Sequence, residues 1–279
     1  MLTFVEEGKS SPLVAGAGRV PVVSRKTNQD KPPWKSLPAI SDVVEKTFVR
    51  PVYLGETTLP FRTTAPLKAV LPISPKTGKL LSSSEIAEHE GLSSWWVAAE
   101  ELWNANKSAN DPGSFLDRID YIGQLSAQLP SASQRVVYTK AGNAITAARV
   151  DDADVIIDHK LYWAATNTVD EARYLVGILN SAAVLERVKP FMAVGLFGLR
   201  DIDKNVFRAL IQPYDASNES HVALVKAVAE AEDDASKVDV SGAKTFQAAR
   251  KLIRADLEQK ALLPKIEALV LDVVPTAVP

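Results

Sequence analysis

The segment from residue 135 to residue 215 constrains the fold most, because its hydrophobic periodicity changes several times in a fixed order. RVVYTKAGNAITAARV (135–150) places two β-branched runs on either side of Ala141-Gly142-Asn143, a pattern that predicts a tight hairpin. VIIDHKLYWAAT (155–166) is too rich in β-branched and aromatic residues for a surface helix, which favours a strand. An amphipathic helix should follow from Thr168 to about Val188, where Pro190 ends it. A glycine-rich turn, GLFGLRDIDKNVF (195–207), comes next.

Helical patterns flank this segment on both sides. One helix is predicted over residues 83–106, where Gly91 could divide it, and a second from Ser114 toward Pro130. The second helix has a predicted core face of Leu116, Ile119, Ile122 and Leu125. Residues 221–234 and 242–272 predict two further helices, with apolar residues at helical intervals. Together these patterns predict an α+β fold, with a mixed, mostly antiparallel sheet, packed helices and a C-terminal helical tail.

Composition excludes several classes of protein. The chain has 279 residues, 46% of them hydrophobic, which is enough to bury a substantial core. It has no cysteine, which excludes a disulfide scaffold, a thiolate zinc site and a cysteine nucleophile, and which fits a cytoplasmic location. No apolar run approaches the roughly 20 residues needed to span a bilayer, and no secretion signal is apparent. We therefore expect a cytoplasmic protein without a membrane partner.

Charge is distributed unevenly along the chain. The formal net charge is −2, which argues against a generic, strongly basic nucleic-acid binder. Residues 1–80 nevertheless hold 12 Lys/Arg against 6 Asp/Glu, whereas residues 81–279 hold 20 against 28. A basic first quarter could follow phosphates, or it could be a solvated flank, and the charge alone favours neither reading.

Three consecutive regions are predicted from these patterns. Residues 1–46 are rich in Pro, Gly, Ser and Lys, which predicts an extended arm or linker, anchored by Trp34. Residues 47–215 form the main predicted domain, beginning with short extended pieces in FVRPVYLGETTLPFR (48–62) and a strand in LKAVLPI (67–73). Residues 216–279 form the predicted helical tail.

Six blocks in this order carry a family resemblance over roughly residues 30–235. They are KPPWKSL with FVRPVYLGETTLPFR, SSWWVAAEELW, SFLDRIDYIGQLSAQLP, RVVYTKAGNAITAARV with IIDHKLYWA, EARYLVGILNS, and GLFGLRDIDKNVF with a Pro-Tyr-Asp end. In this order they resemble the C-terminal target-recognition region of bacterial adenine-specific DNA methyltransferases of the type IIG restriction–modification and phage-defence kind. Each block alone is common, but the order is more specific. The resemblance implies that residues 47–215 are a DNA target-recognition domain.

The resemblance also implies what this chain lacks. The catalytic half of the family binds S-adenosylmethionine at a glycine-rich turn and holds the flipped adenine with an Asn-Pro-Pro-aromatic loop. VAGAGRV (14–20) is not preceded by an apolar strand, and NDPG (110–113) lacks the second proline and the aromatic residue. We therefore expect no catalysis and no cofactor in this chain alone. The implied partners are double-stranded DNA and a methyltransferase catalytic domain or subunit that supplies S-adenosylmethionine.

Candidate DNA contacts follow from residue chemistry and from the resemblance. Arg and Lys suit guanine edges and phosphates, whereas Asn suits adenine. The candidates are Arg118, Tyr121, Lys140, Asn143, Arg149, Lys160, Tyr162, Arg200 and Lys204.

A structural reading stands beside each functional one. Asn143 has a local reason to lie in a turn, so a solvated hairpin is the favoured reading there. An internal ion pair with Asp201 or Asp203 would equally explain Arg200 and Lys204. Strand alternation puts Lys160 and Tyr162 on one face and the predicted core residues Leu161 and Trp163 on the other.

Two other functions compete with DNA recognition. The same fold could be a structural module that docks a methyltransferase subunit without reading DNA, through the apolar stripe of the tail helices. A nuclease is a weaker reading, supported only by Asp158 and Lys160. The histidines His89, His159 and His221 are scattered and lack the spacing of metal ligands, so no metal site is predicted.

Overall fold

The computed structural model describes residues 3–8, 18–27, 30–111, 113–192, 194–195, 198–199, 202, 204–206 and 211–274. The chain forms two compact units, each assembled from separate segments. Unit 1 comprises residues 1–52, 67–132 and 154–156, and unit 2 comprises residues 53–66, 133–153 and 157–279. Both units combine antiparallel strands with packed helices, which confirms the predicted α+β fold.

Runs of strands are followed by runs of helices along the described chain. The strands are β1 (Phe4–Glu7), β2 (Arg19–Ser24), β3 (Ser41–Glu45), β4 (Val49–Tyr53), β5 (Thr58–Leu59), β6 (Arg62–Thr63), β7 (Leu67–Val70), β8 (Arg135–Thr139), β9 (Ala147–Val150), β10 (Ile156–Ile157), β11 (Leu161–Ala165), β12 (Val194–Gly195) and β13 (Gly198–Leu199). The helices are α1 (Ser83–Ile86), α2 (Glu90–Asn106), α3 (Phe115–Ile119), α4 (Val169–Asn180), α5 (Ala182–Val188), α6 (Glu219–Lys237), α7 (Phe246–Gln259) and α8 (Leu262–Val273).

Unit 1 is a sheet with a tryptophan-rich helix packed on it. The strand order is β10-β4-β7-β1-β2-β3, and the pairs from β4 through β3 are antiparallel. Helix α2 buries Trp95, Trp96 and Trp103 against this sheet. The carboxylate of Glu45 on β3 accepts hydrogen bonds from the first-turn backbone N–H groups of Gly91 (2.9 Å) and Leu92 (2.8 Å), and so fixes the start of α2.

The first 46 residues differ from the expected extended arm. Composition favoured an irregular path, yet β1, β2 and β3 lie within this range and pair in the unit 1 sheet. Val5, Val22 and Val44 are buried in the core of unit 1, and this burial outweighs the low local periodicity. Trp34 does anchor its segment as expected, because its ring stacks on that of Trp103 with 5.4 Å between centroids.

The prediction of one helix from Ser114 toward Pro130 is wrong beyond Ile119. The Asp120 carboxylate accepts the backbone N–H groups of Leu125 (2.9 Å) and Ser126 (2.8 Å), which competes with the helical pattern. Ile122 adopts φ 50° and is 77% exposed, so its assignment to the core is also wrong. Local Asx hydrogen bonding and a following glycine at φ 72° therefore override the apolar spacing.

Unit 2 packs helices on the three-stranded antiparallel sheet β11-β8-β9. Thr168 caps α4 as predicted, but the helix ends at Asn180 and Ser181 then caps a separate helix, α5. The Asn180 amide donates to the carbonyl of Ala147 (2.8 Å) and accepts its N–H (3.1 Å). The Asn-Ser pair at the end of the helix therefore both ties α4 to β9 and starts α5.

The C-terminal region holds three helices where two were predicted over 221–234 and 242–272. Ala261 takes a left-handed conformation with φ 58° and separates α7 from α8. Helix α6 packs against α4 and α8, and a Cβ on Gly177 of α4 would lie 2.6 Å from Val228 of α6. Within the apolar stripe of these helices, the buried residues are Ile253, Leu257, Leu262, Ile266 and Val270, in agreement with packing inside the chain. Leu263 and Leu269 are partly buried, and Leu252 is 46% exposed.

Candidate nucleic-acid interface

The predicted hairpin exists, but its turn is wider than the sequence suggested. Strand β8 ends at Thr139 and β9 begins at Ala147, so residues 140–146 form the connection. Of the three turn residues only Gly142 has a positive φ (141°), and Asn143 is exposed beside it. The Arg254 guanidinium donates to the carbonyl of Ile145 (2.7 Å) and holds the loop from α7. The prediction of a tight turn is therefore wrong. Asn143 lies on a longer loop that Arg254 holds through its hydrogen bond to Ile145.

Lys140 and Tyr162 come together at this end of the sheet. The ring of Tyr162 stacks on that of Tyr138 with 5.4 Å between centroids. The Lys140 ammonium nitrogen lies 4.5 Å from the centroid of the Tyr162 ring, a cation–π distance. Lys140 is half-buried, so its charge is positioned by the aromatic pair and is still open to solvent. Such a cation suits a phosphate oxygen.

Arg149 is held inside unit 2. Its guanidinium forms ion pairs with Asp151 (2.9 Å) and with Glu232 of α6 (3.2 Å), and Glu232 also pairs with Arg173 of α4 (2.9 Å). Burial alone would lower the pKa of Arg149, but Glu232 and Asp151 outweigh it and raise the pKa. Arg149 therefore ties β9 to α6, which is a structural role.

Lys160 lies in the turn before β11, so strand alternation does not reach it. Its backbone N–H donates to Asp158 (2.9 Å), whose other carboxylate oxygen lies 3.1 Å from Nδ1 of His159. Burial raises the pKa of Asp158, but His159 and the Lys160 N–H more than compensate and the net pKa is lowered. The Lys160 side chain is exposed. On β11, Leu161 is buried as predicted, whereas Trp163 is only partly buried.

The glycine-rich turn is described in part. Arg200, Asp201 and Asp203 lie outside the described residues. Lys204 is exposed at the start of a short 3-10 turn (204–206), which Ile202 and Val206 anchor because both are buried. Lys204 is therefore an outward-facing cation on a supported turn.

Arg118 and Tyr121 are brought together in unit 1. Arg118 is on α3, and its guanidinium carbon lies 5.7 Å from the centroid of the Tyr121 ring and 5.9 Å from that of Trp103. Tyr121 is 55% exposed. The candidates therefore fall into two groups, Arg118 with Tyr121 in unit 1 and Lys140, Asn143, Lys160, Tyr162 and Lys204 in unit 2.

The sequence did not predict the role of three partly buried arginines, Arg62, Arg250 and Arg254. Arg62 donates to the carbonyls of Ala235 (2.7 Å), Ser236 and Val238 at the end of α6, where a helix accumulates partial negative charge. Arg250 donates to the carbonyls of Gly55 and Thr58, and burial lowers its pKa to about 10. Arg250 and Arg254 are four residues apart beside the buried stripe of α7. This spacing could have indicated that both side chains reach the neighbouring loops of unit 2.

Neither a metal-binding cluster nor a membrane-spanning helix is found in the described part of the chain. No group of three or more His, Cys, Asp or Glu side chains there is arranged to hold a metal ion. Across the same residues, no helix is both long and apolar enough to cross a bilayer.

Comparison with known proteins gives a likeness of fold. No family model and no curated protein sequence matches the chain. Among solved structures, 83% of the chain resembles 29% of the type IIL restriction–modification enzyme MmeI, solved in complex with DNA, with a TM-score of 0.54 and 14% identity. The likeness to the type IIG restriction endonuclease BpuSI covers 98% of this chain and 32% of the BpuSI chain, with a TM-score of 0.40 and 15% identity. The chain spans less than a third of either enzyme.

This likeness confirms the coarser part of the expected resemblance. The chain has the fold of a segment of a restriction–modification enzyme, as the order of its sequence blocks indicated. The type IIG structure, at its lower score, adds no weight.

Proposed function

We propose that this chain is the DNA-specificity module of a restriction–modification or defence adenine DNA methyltransferase. The observation that carries the proposal is the fold likeness over 83% of the chain to part of a restriction–modification enzyme solved in complex with DNA. The order of the sequence blocks supports the same assignment independently of the structure. In this function the module grips duplex DNA, reads a short sequence and presents an adenine to a catalytic domain that flips it.

Three lysines of unit 2, the half-buried Lys140 and the exposed Lys160 and Lys204, are the proposed phosphate contacts. Lys140 is placed by Tyr162, and Lys160 and Lys204 extend from supported turns. Asn143 on the braced loop is the proposed base contact, because an amide can donate and accept at an adenine edge. Arg149 is omitted from this set, since leaving Glu232 would abandon a half-buried ion pair.

Arg118 and Tyr121 are the proposed contacts of unit 1. The planar guanidinium can reach a phosphate with paired donors, and the exposed ring of Tyr121 holds its orientation. With a net charge of −2 over the whole chain, affinity depends on these local cations and should fall steeply with salt.

Catalysis is assigned to a partner. The Asn-Pro-Pro-aromatic loop of the resembled family is missing from this sequence, so the proposed partner is a methyltransferase catalytic domain or subunit that binds S-adenosylmethionine. The chain itself is proposed to be non-catalytic and to supply position and sequence choice.

Equilibrium binding to a random-sequence duplex over a salt series tests the proposal. Log affinity should fall linearly with log salt, and Lys140→Ala with Lys160→Ala should reduce the slope by roughly 1.8 if both lysines contact phosphates. The matched control removes Lys226 and Lys251, two exposed lysines on α6 and α7.

Two results would contradict the proposal. An unchanged slope in the double variant would remove these lysines from the interface. An absence of binding at low salt, both alone and with the catalytic partner added, would favour a docking module that does not read DNA.

A further inference from the structure

A small cavity in unit 1 lies outside the contacts assigned so far, apart from Arg118. It measures about 300 Å³. Its border includes the Pro32-Pro33-Trp34 turn, Trp103 of α2, Arg118 of α3, and Asp111 in the loop between these two helices. This volume is at the small end of the range that holds small-molecule ligands. The cavity combines aromatic walls with a few polar side chains, which is the usual composition of such a site.

The aromatic wall is held rigidly. Trp34 and Trp103 stack with 15° between their planes. The Lys26 ammonium donates to the backbone carbonyl of Trp34 (2.9 Å), and Trp103 also lies 6.2 Å from the ring of Phe115. Because its neighbours fix it on several sides, the wall can accept a flat ring without first having to order itself.

Two side chains at the cavity, Trp103 and Arg118, keep hydrogen-bond donors without a partner among the described residues. Trp103 is only 4% exposed, and its indole N–H has no acceptor among the described residues. Arg118 contacts two aromatic rings but has no carboxylate within ion-pair distance in the same part of the chain. The guanidinium N–H groups of Arg118 are therefore available to a ligand in the cavity that accepts hydrogen bonds.

Two lysines lie on the turn that carries Trp34. The backbone N–H of Lys35 donates to the carbonyl of Lys31 (3.3 Å), so this turn brings the backbones of the two lysines close together. Both side chains are exposed, and neither has an ion-pair partner among the described residues. Like charges four residues apart on such a turn repel each other, and a bound phosphate would relieve that repulsion.

We propose that this cavity binds one nucleotide. The base lies against the Trp34–Trp103 wall, Arg118 and Asp111 offer a donor and an acceptor to its polar edge, and the phosphate lies between Lys31 and Lys35. Base and phosphate could come from a free nucleotide or from an unstacked residue of DNA. The DNA source rests on the proposed function, and the free nucleotide does not.

Calorimetric titration of the full chain with deoxyguanosine and deoxyadenosine monophosphates tests the site directly. Both should bind, whereas deoxyribose 5-phosphate, which lacks the base, should bind at least about fivefold more weakly because stacking is lost. Arg118→Ala and the double variant Lys31→Ala with Lys35→Ala should each reduce affinity at least about fivefold. Trp103→Phe, which removes the indole N–H and shortens the aromatic wall, should also weaken binding.

The controls separate local effects from general charge and from folding. Lys244→Ala with Lys251→Ala removes the same charge from exposed positions of unit 2 and should leave nucleotide affinity unchanged. Near-ultraviolet circular dichroism should show that the Arg118 and Lys31/Lys35 variants keep the tryptophan packing of the parent. Absence of nucleotide binding, or binding that survives both of these variants, would overturn the proposal.

A second arm identifies the source of the nucleotide. A duplex with one unpaired nucleotide should bind more tightly than the fully paired duplex, since an unpaired base is cheaper to unstack. Arg118→Ala should abolish that preference. Equal affinity for both duplexes, together with mononucleotide binding, would assign the site to free nucleotide and leave the DNA-recognition proposal intact.

Discussion

Asn180 offers the sharpest test of how unit 2 is held together. Its side chain is 5% exposed and makes three hydrogen bonds, accepting the N–H of Ala147 (3.1 Å) and donating to the carbonyls of Ala147 (2.8 Å) and Val176 (3.0 Å). In Asn180→Ala the Ala147 carbonyl keeps the N–H of Phe61 (3.0 Å), whereas the Ala147 N–H loses Asn180. A buried, unpaired N–H costs about 1–3 kcal/mol, and the two lost amide donations add roughly 1 kcal/mol, so we expect about 2–4 kcal/mol.

The assay is urea unfolding followed by pulse-labelling hydrogen exchange, which resolves peptides of unit 2 from those of unit 1. With m near 2 kcal/mol/M, the midpoint for unit 2 should fall by about 1–2 M. Asn143→Ala removes the same amide from an exposed loop and should change stability by less than about 0.5 kcal/mol.

A third variant keeps the size of the side chain. Asn180→Asp retains an acceptor for the Ala147 N–H but turns a carboxylate toward two carbonyl oxygens, so it should also be destabilising. If Asn180→Ala unfolded at the same urea concentration as Asn143→Ala, the clamp between α4 and β9 would not stabilise unit 2, and the reasoning would be refuted.

The junction of β3 and α2 gives two further predictions for unit 1. Gly91→Ala would place a Cβ 2.5 Å from the carbonyl oxygen of Val43 and should cost about 1–3 kcal/mol in urea unfolding, whereas Gly242→Ala, with nothing within 4 Å, should be nearly neutral. Burial raises the pKa of Glu45 but the N–H groups of Gly91 and Leu92 lower it below 4.5 overall, so its stabilisation is present above about pH 4.5 and lost as pH falls through the lowered value. Glu45→Gln should therefore destabilise unit 1 at pH 7 and much less at pH 3; an equal loss at both pH values would contradict this account.

Sequence patterns predicted the fold best where burial and periodicity agree. Helix α4 begins at its Thr168 cap as predicted, and the β-branched runs became β8 and β9. The patterns failed where one side chain redirects the backbone. Asp120 ends a helix that Ile122 and Leu125 would otherwise continue, because its carboxylate captures two backbone N–H groups.

The candidate site was less predictable than the fold, because exposure and partners depend on distant segments. Arg149 and Lys140 look alike in sequence, since both are cations of the same hairpin. Arg149 meets Glu232, 83 residues away, and becomes internal, while Lys140 meets the ring of Tyr162 and stays open to solvent. The cavity in unit 1 was missed for the same reason, since Trp34 and Trp103 lie far apart in sequence.

The hydrogen bonds of Arg62 can form only late in the synthesis of this protein. Its acceptors lie at Ala235 and beyond, 173 residues later, and at about 5–20 residues per second the ribosome needs roughly 10–35 s to make them. Throughout that interval the neighbouring Leu59 and Phe61, buried to within 2% in the finished fold, have no helix α6 or α7 to cover them. The segment around Leu59 and Phe61 therefore completes its packing only after the residues of α6 and α7 have been made.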